Sequence, residues 1–364
     1  MGEYRSSSDG LRIAAMVETI DLHCHVSPTT FPSAVSGQAA IRWPCMRCET
    51  AKSGTLYFGD AAFRALDDRS WNARRRVEDM DRDGIDVQVL SPMPELLSYW
   101  LDAADCAVIC DTVNSQIASM ISESPDRFRG LGAVPAQDTA MAIRTLRGLR
   151  SNFGLSGIEI GSNLNGVMLG DSSFDPIWEA AEALDLAVFV HALHPVSVKT
   201  IKASPEFTVF AGFPVDVAMA ATSLLMAGIP DRFPGLRIGF SHGGGALGSL
   251  LGRLDFGWHK TNAFGGKLST APSVAARRFF FDSNVYSAEY LRFLATETAP
   301  GRIFLGSDYP YQIMQNDPLI FIAKSNLDDR AMRSLRVGAA RQFLNEPESQ
   351  THAGDGMSRA EDVH

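Results

Sequence analysis

From residue 17 onward, short apolar runs rich in β-branched and aromatic residues alternate with longer segments whose apolar positions recur at helical spacing. The runs fall at 18–25, 86–91, 128–134, 157–161, 187–191, 237–242, 279–284 and 303–307. Between them, helical periodicity predicts helices at 72–83, 102–123, 140–151, 174–185, 215–227, 246–258 and 288–297. Several open with suitable residues: Asp175-Pro176 precedes Ile177-Trp178, and proline fits the first turn of a helix. Strand and helix in strict alternation predict βα units and a parallel sheet.

Eight such strands fit either a (β/α)8 TIM barrel or a doubly wound open sheet. The polar positions select the barrel. His25, Ser91, His191, His242 and Asp308 all fall at or just past strand C-terminal ends, which ring one mouth in a barrel. The one irregularity is a long insertion at 26–70 after the first strand, with Pro28, Pro32 and Pro44. A connection of that length predicts a functional lid or a small subdomain. The expected organisation is a flexible tail at 1–16, one barrel domain at 17–345 that includes the insertion, and a second tail at 346–364.

Composition narrows the class. Of 364 residues, 45% are hydrophobic and 21% charged, as in ordinary globular chains. The net charge of −9 argues against nucleic acid or an anionic membrane as partner, while leaving room for a small anionic substrate at a locally basic site. No run of 18 apolar residues occurs, so no transmembrane helix is expected. The polar N-terminus does not read as a secretory signal, and the loose myristoylation match of Gly2 with Ser6 is read as tail. Five cysteines, an odd number without a disulfide framework, suit a reducing cytoplasm. Cys45 and Cys48 form a C-x-x-C with no second ligand pair, and are expected as free thiols in a loop.

The candidate chemistry lies on the strand ends. His23 and His25 alternate along the first strand and so face the same side, where both imidazoles can reach one ion. His191 ends another strand and Asp308 follows the last. Together they make a set of three histidines and one aspartate suited to a borderline divalent metal. His242, followed by three glycines that permit close backbone approach to a ligand, is either a further ligand or an acid/base residue.

These pieces resemble the aminocarboxymuconate-semialdehyde decarboxylase group of the amidohydrolase superfamily, across nearly all of 20–344. The resemblance is carried by D-L-H-C-H-V-S-P (21–28), W-N-A-R-R-R-V-E-D-M-D (71–81), V-F-V-H (188–191), S-H-G-G-G (241–245), F-F-F-D-S-N-V-Y (279–286) and L-G-S-D-Y-P (305–310). It implies zinc, with manganese as the alternative, on His23, His25, His191 and Asp308, and an acid/base role for His242 beside Asp308. It also implies that Arg64 holds a substrate carboxylate and that Arg253 reaches the neighbouring subunit's site, hence a homodimer. Guanidinium groups pair with carboxylates in bidentate fashion, which suits both arginines.

One stretch departs from the group. Where its members usually read His-Pro-Trp-Asp, with the tryptophan over the substrate, this chain reads His191-Ala-Leu-His194-Pro195. His194 is therefore a candidate substrate contact, a residue supporting the site, or a loop histidine. The expected activity is metal-dependent, non-oxidative decarboxylation of an unsaturated or aromatic carboxylic acid. The alternatives are hydrolysis of an amide, ester or lactone, a cyclising condensation, and a catalytically silent protein on the same fold.

Overall fold

The computed structural model describes residues 18–34, 42–199 and 201–347; the Gly2/Ser6 pattern and nearly all of both expected tails lie outside the described residues. The chain begins with strand β1 (Ile20–Val26) and then β2 (Pro44–Thr50), β3 (Ser53–Phe58) and β4 (Ala61–Asp67). Strands β5 (Val87–Pro92), β6 (Phe128–Gly132) and β7 (Gly157–Gly161) follow, then a small hairpin of β8 (Asn163–Leu164) and β9 (Val167–Met168). Last come β10 (Ala187–His191), β11 (Ile238–Phe240), β12 (Phe280–Asp282) and β13 (Ile303–Phe304).

Eight of these pair in the order β1-β5-β6-β7-β10-β11-β12-β13. The two outer members meet, so the sheet closes into the expected (β/α)8 TIM barrel. Across the seam Leu22 N–H donates to Leu305 O at 2.9 Å, Asp308 N–H to His23 O at 2.9 Å, and His25 N–H to Tyr309 O at 2.7 Å. The barrel strands are buried on both faces, as parallel strands covered by helices must be.

Helices α1 (Ala73–Asp83), α2 (Ala103–Glu123), α3 (Thr139–Phe153), α4 (Asp175–Ala183), α5 (Phe213–Met226), α6 (Leu247–Lys260) and α7 (Ala288–Phe293) lie where periodicity puts them. Their ends are chemically marked. Asn72 caps α1 by accepting from Arg75 N–H, and Gly84 ends it at φ 71°. A last helix, α8 (Ala339–Leu344), plugs the barrel floor: Phe343 packs on Phe280 and Phe304, and its carbonyl accepts from Arg237 Nε just before β11.

Inside the barrel, Ile20, Leu22, Val89, Phe189, Phe280 and Phe304 form one apolar plug. Simple alternation from Ile20 and Leu22 would next turn Cys24 inward. A register shift between Asp21 and Cys24 instead changes the phase of β1. Such an irregularity re-aims side chains. It turns His23 and His25 toward the mouth.

The insertion differs from a loop. β2, β3 and β4 form a three-stranded antiparallel sheet, with Gly59 (φ 61°) and Asp60 as the turn joining β3 to β4. Cys45 and Cys48 are free and exposed as expected, but they lie on β2 rather than in a loop. Three residues apart on a strand, they point to opposite faces.

A second difference concerns hydrophobicity. The helical stretch Pro205–Met226, which ends in α5, is long and apolar enough to cross a membrane by length and composition, with a mean hydropathy of 1.7 over its most apolar window. Asp216 interrupts the apolar run that would have marked it in the sequence. That carboxylate is fully buried, accepting from Ser162 Oγ, Asn163 Nδ2 and Val196 N–H. The stretch occupies the barrel-helix position between β10 and β11.

Candidate metal centre and active site

His23, His25, His191 and Asp308 converge at the mouth, nearly or fully buried. Each histidine is oriented through its Nδ1. His25 Nδ1 donates to Pro92 O at 2.8 Å and His191 Nδ1 to Ala192 O at 2.9 Å. A carbonyl only accepts, so these two rings carry their proton on Nδ1 and keep an Nε2 lone pair. His23 Nδ1 lies 2.6 Å from Asp282 Oδ2, which fixes the same tautomer.

The freed atoms face one another. His23 Nε2 is 3.0 Å from His25 Nε2, and Asp308 Oδ1 is 3.4 Å and 3.2 Å from those two atoms. Ligand atoms of His23, His191, His242 and Asp308 all lie within 4.8 Å of one another. His191 Nε2 and Asp308 Oδ1 are buried without a hydrogen-bond partner. Three imidazole lone pairs and a carboxylate in one buried spot repel unless a cation lies among them. The donor set therefore fits a divalent metal, and these residues could hold one.

The electrostatics agree. Burial, followed by the neighbouring His25, His23 and His242, holds His191 well below the ordinary imidazole range, in the neutral form a metal requires. Burial alone would raise Asp308, but the imidazoles of His23, His242 and His25 outweigh it and keep its carboxyl well below the ordinary value.

His242 stands at the edge of this cluster. Its Nε2 is 3.8 Å from Asp308 Oδ2, its side chain keeps 11% exposure toward the cavity, and its backbone holds φ 54°. The glycines after it do not line the metal cluster as expected. Gly243, at φ 62°, donates to Asp282 Oδ1 at 2.7 Å, and a Cβ there would meet Val285 at 2.3 Å. They let the backbone wrap Asp282 rather than a ligand.

Asp282 is thus a hub that the sequence reading missed. It orients His23 and accepts from the backbone N–H of His242, Gly243 and Asn284. Asp21 does similar work at the seam, accepting from Ser307 N–H and Oγ. Arg76, fully buried on α1, donates to His25 O, Arg69 O and Gln88 Oε1. Glu159 on β7 lies 3.6 Å from His25 Nδ1, and burial raises its carboxyl to about 7. The available signal for Asp282 and Glu159 was a carboxylate on a strand buried on both faces.

A cavity of about 610 Å³ opens over the cluster, lined by His191, Ala192, His242, Asp308, Arg64 and Tyr311 among others. Arg64 arrives from β4, with its guanidinium over the Tyr311 ring at 4.5 Å and 3.6 Å from Glu95. Tyr311, also missed, stacks on His25 and keeps a buried hydroxyl without a partner.

The other two candidates are elsewhere. Arg253 is exposed on α6 and does not line this cavity. His194, at φ 44°, packs against Trp100 in a neighbouring pocket.

The amidohydrolase family model matches residues 20–345. The chain is 31% identical to 2-amino-3-carboxymuconate-6-semialdehyde decarboxylase of Dictyostelium discoideum over 89% of its own length and 91% of that protein. It is 29% identical to 6-methylsalicylic acid decarboxylase of Penicillium expansum, over 67% and 76% of the two chains. Among solved structures, 5-carboxyvanillate decarboxylase from Sphingomonas paucimobilis superposes with a TM-score of 0.72 at 24% identity, covering 91% of this chain and 100% of that one. A dihydroxybenzoic acid decarboxylase from a Polaromonas species, with bound manganese and 2-nitroresorcinol, gives 0.69 at 20% identity, covering 91% and 97%.

Proposed function

The chain belongs to the amidohydrolase family, and from that premise we propose that it is a metal-dependent carboxy-lyase releasing carbon dioxide, without redox change, from an aromatic or unsaturated carboxylic acid. The observation that carries the reading is the meeting of Arg64 with His191, His242 and Asp308 on the wall of one cavity, with His23 and His25 packed directly behind Asp308. Relatives named as decarboxylases of small aromatic or muconate acids support the same class.

Each residue then has work to do. Arg64 pairs with a substrate carboxylate and sets the acid over the cluster. The Tyr311 hydroxyl donates to a substrate oxygen. Breaking the bond to the departing carboxylate leaves its electron pair on carbon, and a proton must arrive there. His242, facing the cavity beside Asp308, delivers it from Nε2. His23, His25, His191 and Asp308 would hold a divalent ion, which when bound would supply Lewis acidity. Zinc is the ion proposed, because three imidazoles and one carboxylate suit it; manganese, bound in two structural relatives, is the alternative.

Hydrolysis or cyclisation drew its support from the altered stretch after His191. His194 turns out of the cavity and leaves that wall to Ala192, which takes away the part of that support that rested on the added imidazole.

The proposed assembly is a homodimer in which Arg253 serves the partner's site. Arg253 is exposed on α6 along with Phe256, itself 65% exposed. Mixing an Arg253→Ala protein with an Asp308→Ala protein restores partial activity if arginines cross between subunits, and none if they do not. Five free cysteines support the proposal of a cytoplasmic setting.

The direct test is carbon dioxide release from a panel of aminomuconate, hydroxybenzoate and hydroxyanthranilate acids with the zinc- or manganese-loaded enzyme. Release from at least one member is expected. Silence across the panel with metal bound overturns the reading.

A further inference from the structure

Behind Leu193 a second pocket, of about 240 Å³, opens where the stretch after β10 meets the start of the insertion. It shares no lining residue with the metal-centre cavity. Arg42, His194 and Lys199 line it, and no carboxylate does. Among the described residues neither Arg42 nor Lys199 is engaged in an ion pair.

The remaining lining is built to hold these groups in place. The Arg42 guanidinium lies over the Trp100 ring at 4.4 Å, and the His194 ring packs on Trp100 at 5.0 Å. His194 reaches that position through a left-handed backbone, φ 44°, which few non-glycine residues adopt. Asn163 has spent its donors, Nδ2 bonding Leu193 O and Asp216, and Asn165 Nδ2 places one of its two on Tyr99 O. Asn163 Oδ1 accepts from Gly166 N–H. Trp100 keeps a buried Nε1–H with no acceptor. Glu95, whose field reaches His194, lines the other cavity and faces Arg64 there.

What the pocket has left to offer is donors and positive charge. We propose that it is a second binding site, separate from the metal centre, for an anionic oxygen group: a carboxylate or a phosphate. Convergent Arg, Lys and imidazole donors recognise such groups through charge-assisted hydrogen bonds. Two sources share this chemistry. One is a distal acid on the substrate itself, since His194 lies three residues from His191, at most about 11 Å along the chain. The other is a free anion acting as an effector.

Calorimetric titration of the metal-loaded enzyme with inorganic phosphate tests the site, comparing wild type with the Arg42→Gln/Lys199→Gln double variant. Both side chains are exposed, so the replacements leave the core alone. Wild type is expected to bind saturably and the double variant at least about tenfold more weakly. Melting temperature, metal content and turnover of a monocarboxylic substrate stay the same. Added salt weakens the wild-type binding, as it does any such charge pairing.

Kinetics separates the sources. Phosphate that raises KM for a diacid substrate only, leaving kcat and the monoacid untouched, identifies the substrate's distal acid as the occupant. A change in kcat for both acids that the double variant abolishes identifies a free effector. Equal phosphate affinity in the two proteins overturns the proposal, as does an absence of saturable binding by wild type. Phosphate that competes equally in both proteins is at the metal centre and counts against it too. Each of these results leaves carbon dioxide release by the wild type intact, so the decarboxylase reading stands or falls separately.

Discussion

The metal cradle and the three-stranded insertion meet over one cavity but are built by opposite means. In the cradle every orienting group is buried and bonded: three Nδ1 atoms are anchored, and Asp282 alone ties His23 to the backbone of residues 242–243. The insertion is a ladder of antiparallel hydrogen bonds with mostly exposed side chains, and it sends one functional arginine inward. Rigid, buried parts fix where chemistry happens. An added sheet at the mouth decides what is held there, and it can vary without touching the cradle.

The sharpest way to break this contrast is to remove a ligand. Asp308→Ala is expected to lose the metal and lower kcat by roughly 10³-fold, since several kcal/mol of charge stabilisation go with it. Metal analysis alongside a carbon dioxide assay checks both; metal retained at full occupancy would dissolve the proposed ligand set. Next in size is Asp282→Asn, which keeps the shape and removes the charge behind His23. Metal affinity should fall about 10–100-fold, read by competition with a chelating dye.

Arg64→Lys probes the other region. It is expected to raise KM about tenfold or more by ending bidentate pairing, with metal content unchanged. A loss of metal in that variant would mean that the insertion supports the cradle, and the contrast would fail. The smallest effect belongs to Cys45→Ser/Cys48→Ser. Pointing to opposite faces of β2, the thiols should be dispensable, with stability within about 0.5 kcal/mol of wild type by thermal unfolding.

The same contrast explains what could be read from the sequence. His23, His25, His191 and Asp308 were legible because strand period and strand-end position together constrain them. Asp282 was not, because its partners are backbone N–H groups and a ring 259 residues earlier in the chain, two strands away across the seam, which no local pattern encodes. The phase change in β1 was also invisible, although the His23–His25 pairing survives it. In the insertion, Phe58-Gly59-Asp60-Ala61 carried a hairpin signal that the prolines and glycines around it masked. Arg64 was found only through family resemblance. His194 is the reverse case: it is adjacent to the site in sequence, yet a left-handed backbone places it in a different pocket.

The barrel's seam has a consequence for how the enzyme comes into being. His23 and His25 sit on the first strand and Asp308 beyond the last, joined through Cys24 and Tyr309. Closing so long a stretch of chain delays the contact until nearly all of the protein has been synthesised. A nascent chain can thus carry its histidines without presenting a finished trap for ions. An ion held by the proposed ligands would clasp first strand to last, and every increment of its binding free energy would also favour the closed ring.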